Sequence, residues 1–90
     1  MEPHAAVLTL LGKPDCHLCH VMAEVTRRVL GSLQAELVKQ DVRDDPELNR
    51  RYARDIPVLL LDGREVARHR VDEAELLSRL VELGVPARSA

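Results

Sequence analysis

Hydrophobic and polar positions follow two different periods along this chain, and each change of period marks an element. Residues 5–11, Ala-Ala-Val-Leu-Thr-Leu-Leu, form an apolar run that stops at Gly12-Lys13-Pro14. Such a run predicts a strand buried on both faces. The period then lengthens. Leu18, Val21, Met22, Val25, Val29 and Leu33 recur at helical spacing, with Glu24, Arg27 and Arg28 on the other side. They predict a helix over residues 16–32, closing near Gly31, with Glu24 four residues before Arg28 as an exposed pair.

Residues 35–42 alternate in part and predict a second strand. Asp44-Asp45-Pro46-Glu47 reads as a helix start, because an aspartate caps a first turn and proline fits it. Leu48 and Tyr52 give that short helix a narrow apolar stripe. Residues 56–61, opening with Ile56-Pro57, predict a third strand, and Asp62-Gly63 is a hairpin signal into a fourth over residues 65–69. Asp72 and Glu75 stand in a capping-box spacing before Leu76, Leu77, Leu80 and Val81. The last helix should stop near Gly84 and Pro86, leaving a frayed tail.

The order is βαβαββα. Strands one and two, joined by a long helix, should be parallel with a right-handed crossover, and the last two antiparallel. The expected architecture is α/β, a mixed four-stranded sheet flanked by three helices. Ninety residues without repeat, linker or low-complexity stretch suit a single domain over 1–90.

Composition narrows the function classes. The chain is 46% hydrophobic and 31% charged with net charge −2, and Tyr52 is its sole aromatic residue. The core must therefore be aliphatic, and neither an overall basic field nor stacking aromatics are present for nucleic acid. Val58-Leu59-Leu60-Leu61, the longest apolar stretch of its kind, is far too short to span a membrane. Met1-Glu2-Pro3-His4 carries no basic segment followed by an apolar run, so a cytoplasmic location is expected. In a reducing cytosol two close cysteines point to redox chemistry or metal rather than a structural staple.

Those cysteines are Cys16-His17-Leu18-Cys19, placed after a buried strand and at the start of a helix. The first turn of a helix offers unpaired N–H groups and the positive end of the dipole, which favour a thiolate over the free-cysteine balance near pKa ~8.5. Lys13, His17 and His20 add positive charge and Asp15 opposes it. A spacing of three brings both sulfurs to one side. Cys16 is expected to be the exposed attacking thiol and Cys19, one turn deeper, the resolving one.

The strand, Lys13-Pro14-Asp15-Cys16-His17-Leu18-Cys19, the helix and the later Ile56-Pro57 together resemble the thioredoxin fold, and in compact form the small bacterial glutaredoxin-like proteins, over roughly residues 5–83. The resemblance implies a cis Pro57 facing the cysteine pair and an Ile56 backbone that pairs with an extended substrate segment. It also implies that Lys13 lies near a glutathione carboxylate and that Asp72 keeps the acidic part of a glutathione-binding stretch. His-Leu replaces the Pro-Tyr common between glutaredoxin cysteines, and Arg70-Val71 replaces their Gly-Gly.

The function that follows is thiol–disulfide exchange by a monomer without cofactor or resident metal, with Lys13, His17, Ile56, Pro57 and Asp72 on the substrate. The substrate would be a disulfide-containing protein or a small disulfide, and the donor glutathione or a reductase. Other readings stand beside it. One is a non-catalytic binding module of the same fold. Cys16-His17-Leu18-Cys19-His20 also spells C-x-x-C-H, the haem-attachment motif, for which His69 is the conceivable second ligand. Zinc, or an iron–sulfur cluster shared between chains through Cys16, are the metal readings. His20 and Tyr52 are expected at the surface, as a polar residue and a packing residue.

Overall fold

A computed structural model describes residues 6–88. Strand β1 (Ala6–Gly12) leads into helix α1 (His17–Val29), strand β2 (Ala35–Asp41), a 3₁₀ turn (Val42–Asp44) and helix α2 (Pro46–Tyr52). Strands β3 (Val58–Leu61) and β4 (Arg64–Arg68) and helix α3 (Glu73–Glu82) complete the chain. The sheet runs β2-β1-β3-β4. β1 pairs parallel with β2 from Ala6↔Ala35 to Gly12↔Asp41 and antiparallel with β3 from Leu8↔Leu61 to Leu11↔Val58. β3 and β4 are antiparallel, with a bulge at Leu59/Leu60. This is the mixed four-stranded, three-helix sheet that the apolar pattern implied.

The alternation of side chains across the strands divides the core. Leu8, Leu10, Leu59 and Leu61 pack on one face with Met22, Ala23 and Val29 of α1 and Leu76 and Leu80 of α3. Leu11 and Val58 point to the other face, where Val42 completes a small cluster bordered by Leu48, Tyr52 and Ile56. Helices α1 and α3 thus cover one face and α2 the other.

Several boundaries differ from the sequence reading. The first expected strand position, Ala5, lies outside the described residues. Helix α1 stops at Val29 instead of residue 32, and Cys16 is its N-cap. Turning there brings Leu33 back into the core, 3% exposed. The buried stripe of α1 is Cys19, Met22, Ala23, Thr26 and Val29, whereas Val21 is 43% exposed. Ala23 and Thr26 are almost fully enclosed, and the Thr26 Oγ1 hydroxyl donates to the Met22 carbonyl at 2.7 Å. Glu24 meets Arg27 at 3.4 Å rather than the predicted Arg28.

β2 ends at Asp41 because the Asp41 carboxylate takes the Arg43 N–H at 2.9 Å and opens the 3₁₀ turn. β3 begins at Val58, since Pro57 has no N–H to give a ladder. β4 ends before His69, which leaves the strand at φ 64. Asp45 caps α2, and Asp72 caps α3 by accepting the Glu75 N–H at 2.7 Å.

The segment after Pro86 is not frayed as far as it is described. At the end of α3, Gly84 takes φ 92 and its N–H reaches the Val81 carbonyl, while the Val85 N–H reaches that of Leu80. This is a Schellman close, and its apolar partner residues, Val85 and Leu80, share the main cluster. Gln34 N–H then donates to the Pro86 carbonyl at 2.8 Å, Arg88 N–H to that of Ser32 at 2.9 Å, and Arg88 Nε to that of Leu30 at 3.0 Å. The remaining tail residues, 89 and 90, lie outside the described part.

Candidate active site at the Cys16–Cys19 pair

The loop between β1 and α1 is four residues long, and its end is the cap of α1. Cys16 sits there in extended backbone, and its Sγ accepts the Cys19 N–H at 3.1 Å. Cys16 N–H donates to the Lys13 carbonyl at 3.3 Å, closing the loop on itself. The Cα atoms of Cys16 and Cys19 are 5.2 Å apart and their sulfurs are joined in a disulfide. Cys16 is half-buried and Cys19 is 6% exposed. A C-x-x-C at a helix cap thus leaves one cysteine half-buried and its partner buried.

The charges around the pair are sorted. Helices α2 and α3 carry Glu47, Glu73 and Glu75 in their first turns, whereas α1 has no acidic residue in its first turn. Its positive end is left to the Cys16 sulfur. The Arg43 guanidinium pKa is raised, chiefly by its hydrogen bond to Asp41, with Asp15 adding a lesser attraction. Asp41 is held below the ordinary carboxylate range by its hydrogen bonds from Arg43, with Lys13 contributing attraction. His20, expected as a plain surface residue, is exposed, but its Nε2 lies 2.8 Å from the Pro14 carbonyl. A carbonyl only accepts, so Nε2 carries the proton and the ring braces the loop before Cys16.

Gly12 supports the pair from below. A Cβ built at Gly12 would come within 2.7 Å of Cys19 Sγ. The end of β1 is therefore in contact with the buried sulfur.

The Ile56–Pro57 peptide is cis, as the fold resemblance implied. The β1–β3 ladder ends at Leu11↔Val58, so Pro57 and Gly12 continue from the same end of the sheet. The His69 N–H donates to the Pro57 carbonyl at 2.8 Å. Just upstream, Asp55 is 3.3 Å from Arg68 and 3.8 Å from the His69 ring. Arg68 also pairs with Glu65 at 2.7 Å, which lowers the Glu65 pKa and raises that of Arg68. β4 thus fastens the proline segment from outside.

The residues expected at the substrate are divided by the fold. His17 and Asp72 line one groove of about 450 Å³ between α1 and the start of α3, floored by Leu18, Val21, Met22 and Val71. Lys13 lines a second, of about 430 Å³, with Cys19, His20 and Lys39. Ile56 packs half-buried on the small cluster, and Pro57 is fully buried. From the sequence, Gly12 reads only as a strand stop, His20 only as added charge at the surface and His69 only as a conceivable haem ligand, while Asp55 is not singled out. Only Gly12 and His20 had a signal, their closeness to the cysteines; Asp55 and His69 reach the site through strand pairing. Among the described residues no group of three or more His, Cys, Asp or Glu is placed to hold a metal ion, and no helix is long and apolar enough to cross a membrane.

A β2-β1-β3-β4 sheet with a C-x-x-C at the β1–α1 junction and a cis-proline entering β3 defines a protein of thioredoxin-like fold with a paired-cysteine site. Residues 7–81 match the model of the glutaredoxin-like domain (DUF836), and the chain belongs to that family. Among solved structures it is similar to target protein XcR50 from X. campestris, at 30% identity, covering 83% of this chain and 96% of that one, TM-score 0.69. Protein Ne2328 from Nitrosomonas europaea shares the fold at 22% identity, 87% and 94% coverage, TM-score 0.73. A malarial protein does so at 17% identity, 91% and 100% coverage, TM-score 0.69. No curated protein matches the chain.

Proposed function

We propose that this protein is a thiol–disulfide oxidoreductase that reduces disulfides of proteins or small molecules, with Cys16 as nucleophile and Cys19 as resolving thiol. The observation that carries the reading is the pair itself. The sulfur of half-buried Cys16 receives a backbone N–H at a helix whose first turn has no acidic residue, and the sulfur of buried Cys19 lies within bonding reach. A helix-cap thiolate so placed is the reactive form.

In the exchange, the reduced Cys16 thiolate attacks one sulfur of the substrate disulfide. The substrate S–S bond breaks, a mixed disulfide forms and one substrate thiolate leaves, taking a proton. Cys19 then loses its proton and attacks Cys16. The Cys16–Cys19 bond forms, the mixed disulfide breaks and the second substrate thiol departs. Two electrons have passed from the pair to the substrate, and two thiols of glutathione or a reductase restore the dithiol. Ile56 offers its backbone to an extended substrate segment, with Pro57 setting the position of that edge. His17 and Asp72 border the substrate groove on one side of the pair, and Lys13 attracts an anionic substrate on the other.

Assaying disulfide reduction by the purified protein tests this directly. Cys16→Ser should abolish turnover, and Cys19→Ser should accumulate mixed disulfide. Full dithiol activity in Cys16→Ser would show the nucleophile to be misassigned. A wild-type protein that reduces no disulfide with either donor would leave a binding module of the same fold.

A further inference from the structure

We infer that Gly12 is a positioning residue for the redox pair: its missing side chain is the space that the Cys19 sulfur occupies when the disulfide closes, and it sets how readily the dithiol oxidises. This rests on the oxidoreductase reading above and concerns the same two sulfurs.

The contact is close and specific. A Cβ at Gly12 would lie 2.7 Å from Cys19 Sγ and 3.1 Å from Cys19 Cβ. Two heavy atoms do not share 2.7 Å without one of them moving. Gly63 and Gly84 are glycines of another kind, since both take positive φ and a Cβ on either would meet nothing within 4 Å. Gly12 lies in a regular strand outside the positive-φ region, so its backbone conformation is open to any residue. Space alone calls for glycine at this position.

The strand has little freedom to give way, being paired with β2 up to Gly12↔Asp41 and with β3 up to Leu11↔Val58. The sulfur is different in the two redox states. In the disulfide the bond to Cys16 pins it above Gly12. In the dithiol that bond is gone, and the thiol can turn about its Cα–Cβ bond to another staggered position. A methyl at position 12 therefore opposes the closed pair more than the open one. It should make the dithiol harder to oxidise and slow the step in which Cys19 displaces substrate from Cys16.

Equilibrating the protein against glutathione reads this without any turnover. One dithiol and one oxidised glutathione give one closed pair and two reduced glutathiones. Half-closure of Gly12→Ala should need about tenfold more oxidising conditions than wild type, expressed as that equilibrium constant. Alkylation of Cys16 should differ by no more than about twofold between Cys19→Ser and Gly12→Ala/Cys19→Ser, because the first attack does not use the buried sulfur. Half-closure at the wild-type ratio would overturn the inference. So would a marked slowing of alkylation in the double variant, which would mean that the helix start itself is distorted. Should Gly12→Ala fail to fold, Gly12→Ala/Cys19→Ala decides. Recovery of folding on removing the sulfur supports the contact, and continued failure overturns it. A wild-type protein without reductase activity would remove the functional reading and leave this equilibrium intact.

Discussion

The two faces of the sheet are unequal, and the site draws on both. Beneath α1 and α3 a broad cluster holds Leu8, Met22, Leu59, Leu76 and Leu80 at 2% exposure or less. Under α2 only Leu11, Val42 and Val58 are fully enclosed. The broad face carries the helix that presents the cysteines, so the reacting sulfurs are mounted on the most thoroughly packed part of the molecule. The thin face carries Ile56, and the segment around its buried proline neighbour is tied to the end of β4 by the His69 N–H to Pro57 and the Arg68–Asp55 pair. A rigid mount for the chemistry and a lightly supported edge for the substrate is the division of labour this contrast suggests.

Perturbing each face in turn tests it. Leu76→Ala, in the broad cluster at 0% exposure, should cost about 3 kcal/mol of stability. For a chain of this size that lowers Tm by about 15 °C, with exchange activity per folded molecule unchanged at low temperature. Val42→Ala, on the thin face at 0% exposure, should cost about 2 kcal/mol. Here the effect on substrate KM should exceed that of Leu76→Ala, because Ile56 rests on that cluster. Equal KM values for the two variants, with substrate saturation measured on both, would erase the distinction. Asp45→Ala removes the cap that accepts the Glu47 and Leu48 N–H groups and should cost about 1 kcal/mol, read as a smaller Tm shift.

The smallest effect is that of pH. Asp41 and Glu65 are both held below their ordinary values, 3.8 and 4.5, chiefly by hydrogen bonds from Arg43 and Arg68. Groups with lowered pKa add stability above the ordinary range and lose it as pH falls through the lowered values. Tm should therefore decline gently as the pH drops below about 4.5, and Glu65→Gln should weaken that decline. Arg43, Glu65 and Arg68 are exposed and Asp41 is half-buried, so solvent screens both pairs and the slope is shallow. A Tm profile as steep in Glu65→Gln as in wild type would assign the decline to other carboxylates.

Much of this was readable in advance because it is local. The apolar run of β1, the Asp45 and Asp72 caps, the Asp62-Gly63 turn and the stop at Gly84 are each written within a few neighbouring residues, as is the position of Cys16 at a helix start. Errors arose where a side chain answered to a distant partner. Val21 sits on the predicted stripe but is exposed, because the buried face of α1 runs through Cys19, Met22, Ala23, Thr26 and Val29. The segment near Arg88 reads as a loose end, yet it is tied to Ser32 and Leu30 across the molecule.

Taken by itself, the order of residues determined the element sequence, the mixed sheet and the cysteine pair at a helix tip, since periodicity, capping and turn chemistry act over less than two helical turns. The tertiary structure alone decided what stands around that pair. The Gly12 contact under Cys19, the His69 bond to Pro57 and the sharing of predicted site residues between two grooves depend on strand register and helix approach. Those are set by the packing of the whole core, and no short stretch of sequence encodes them.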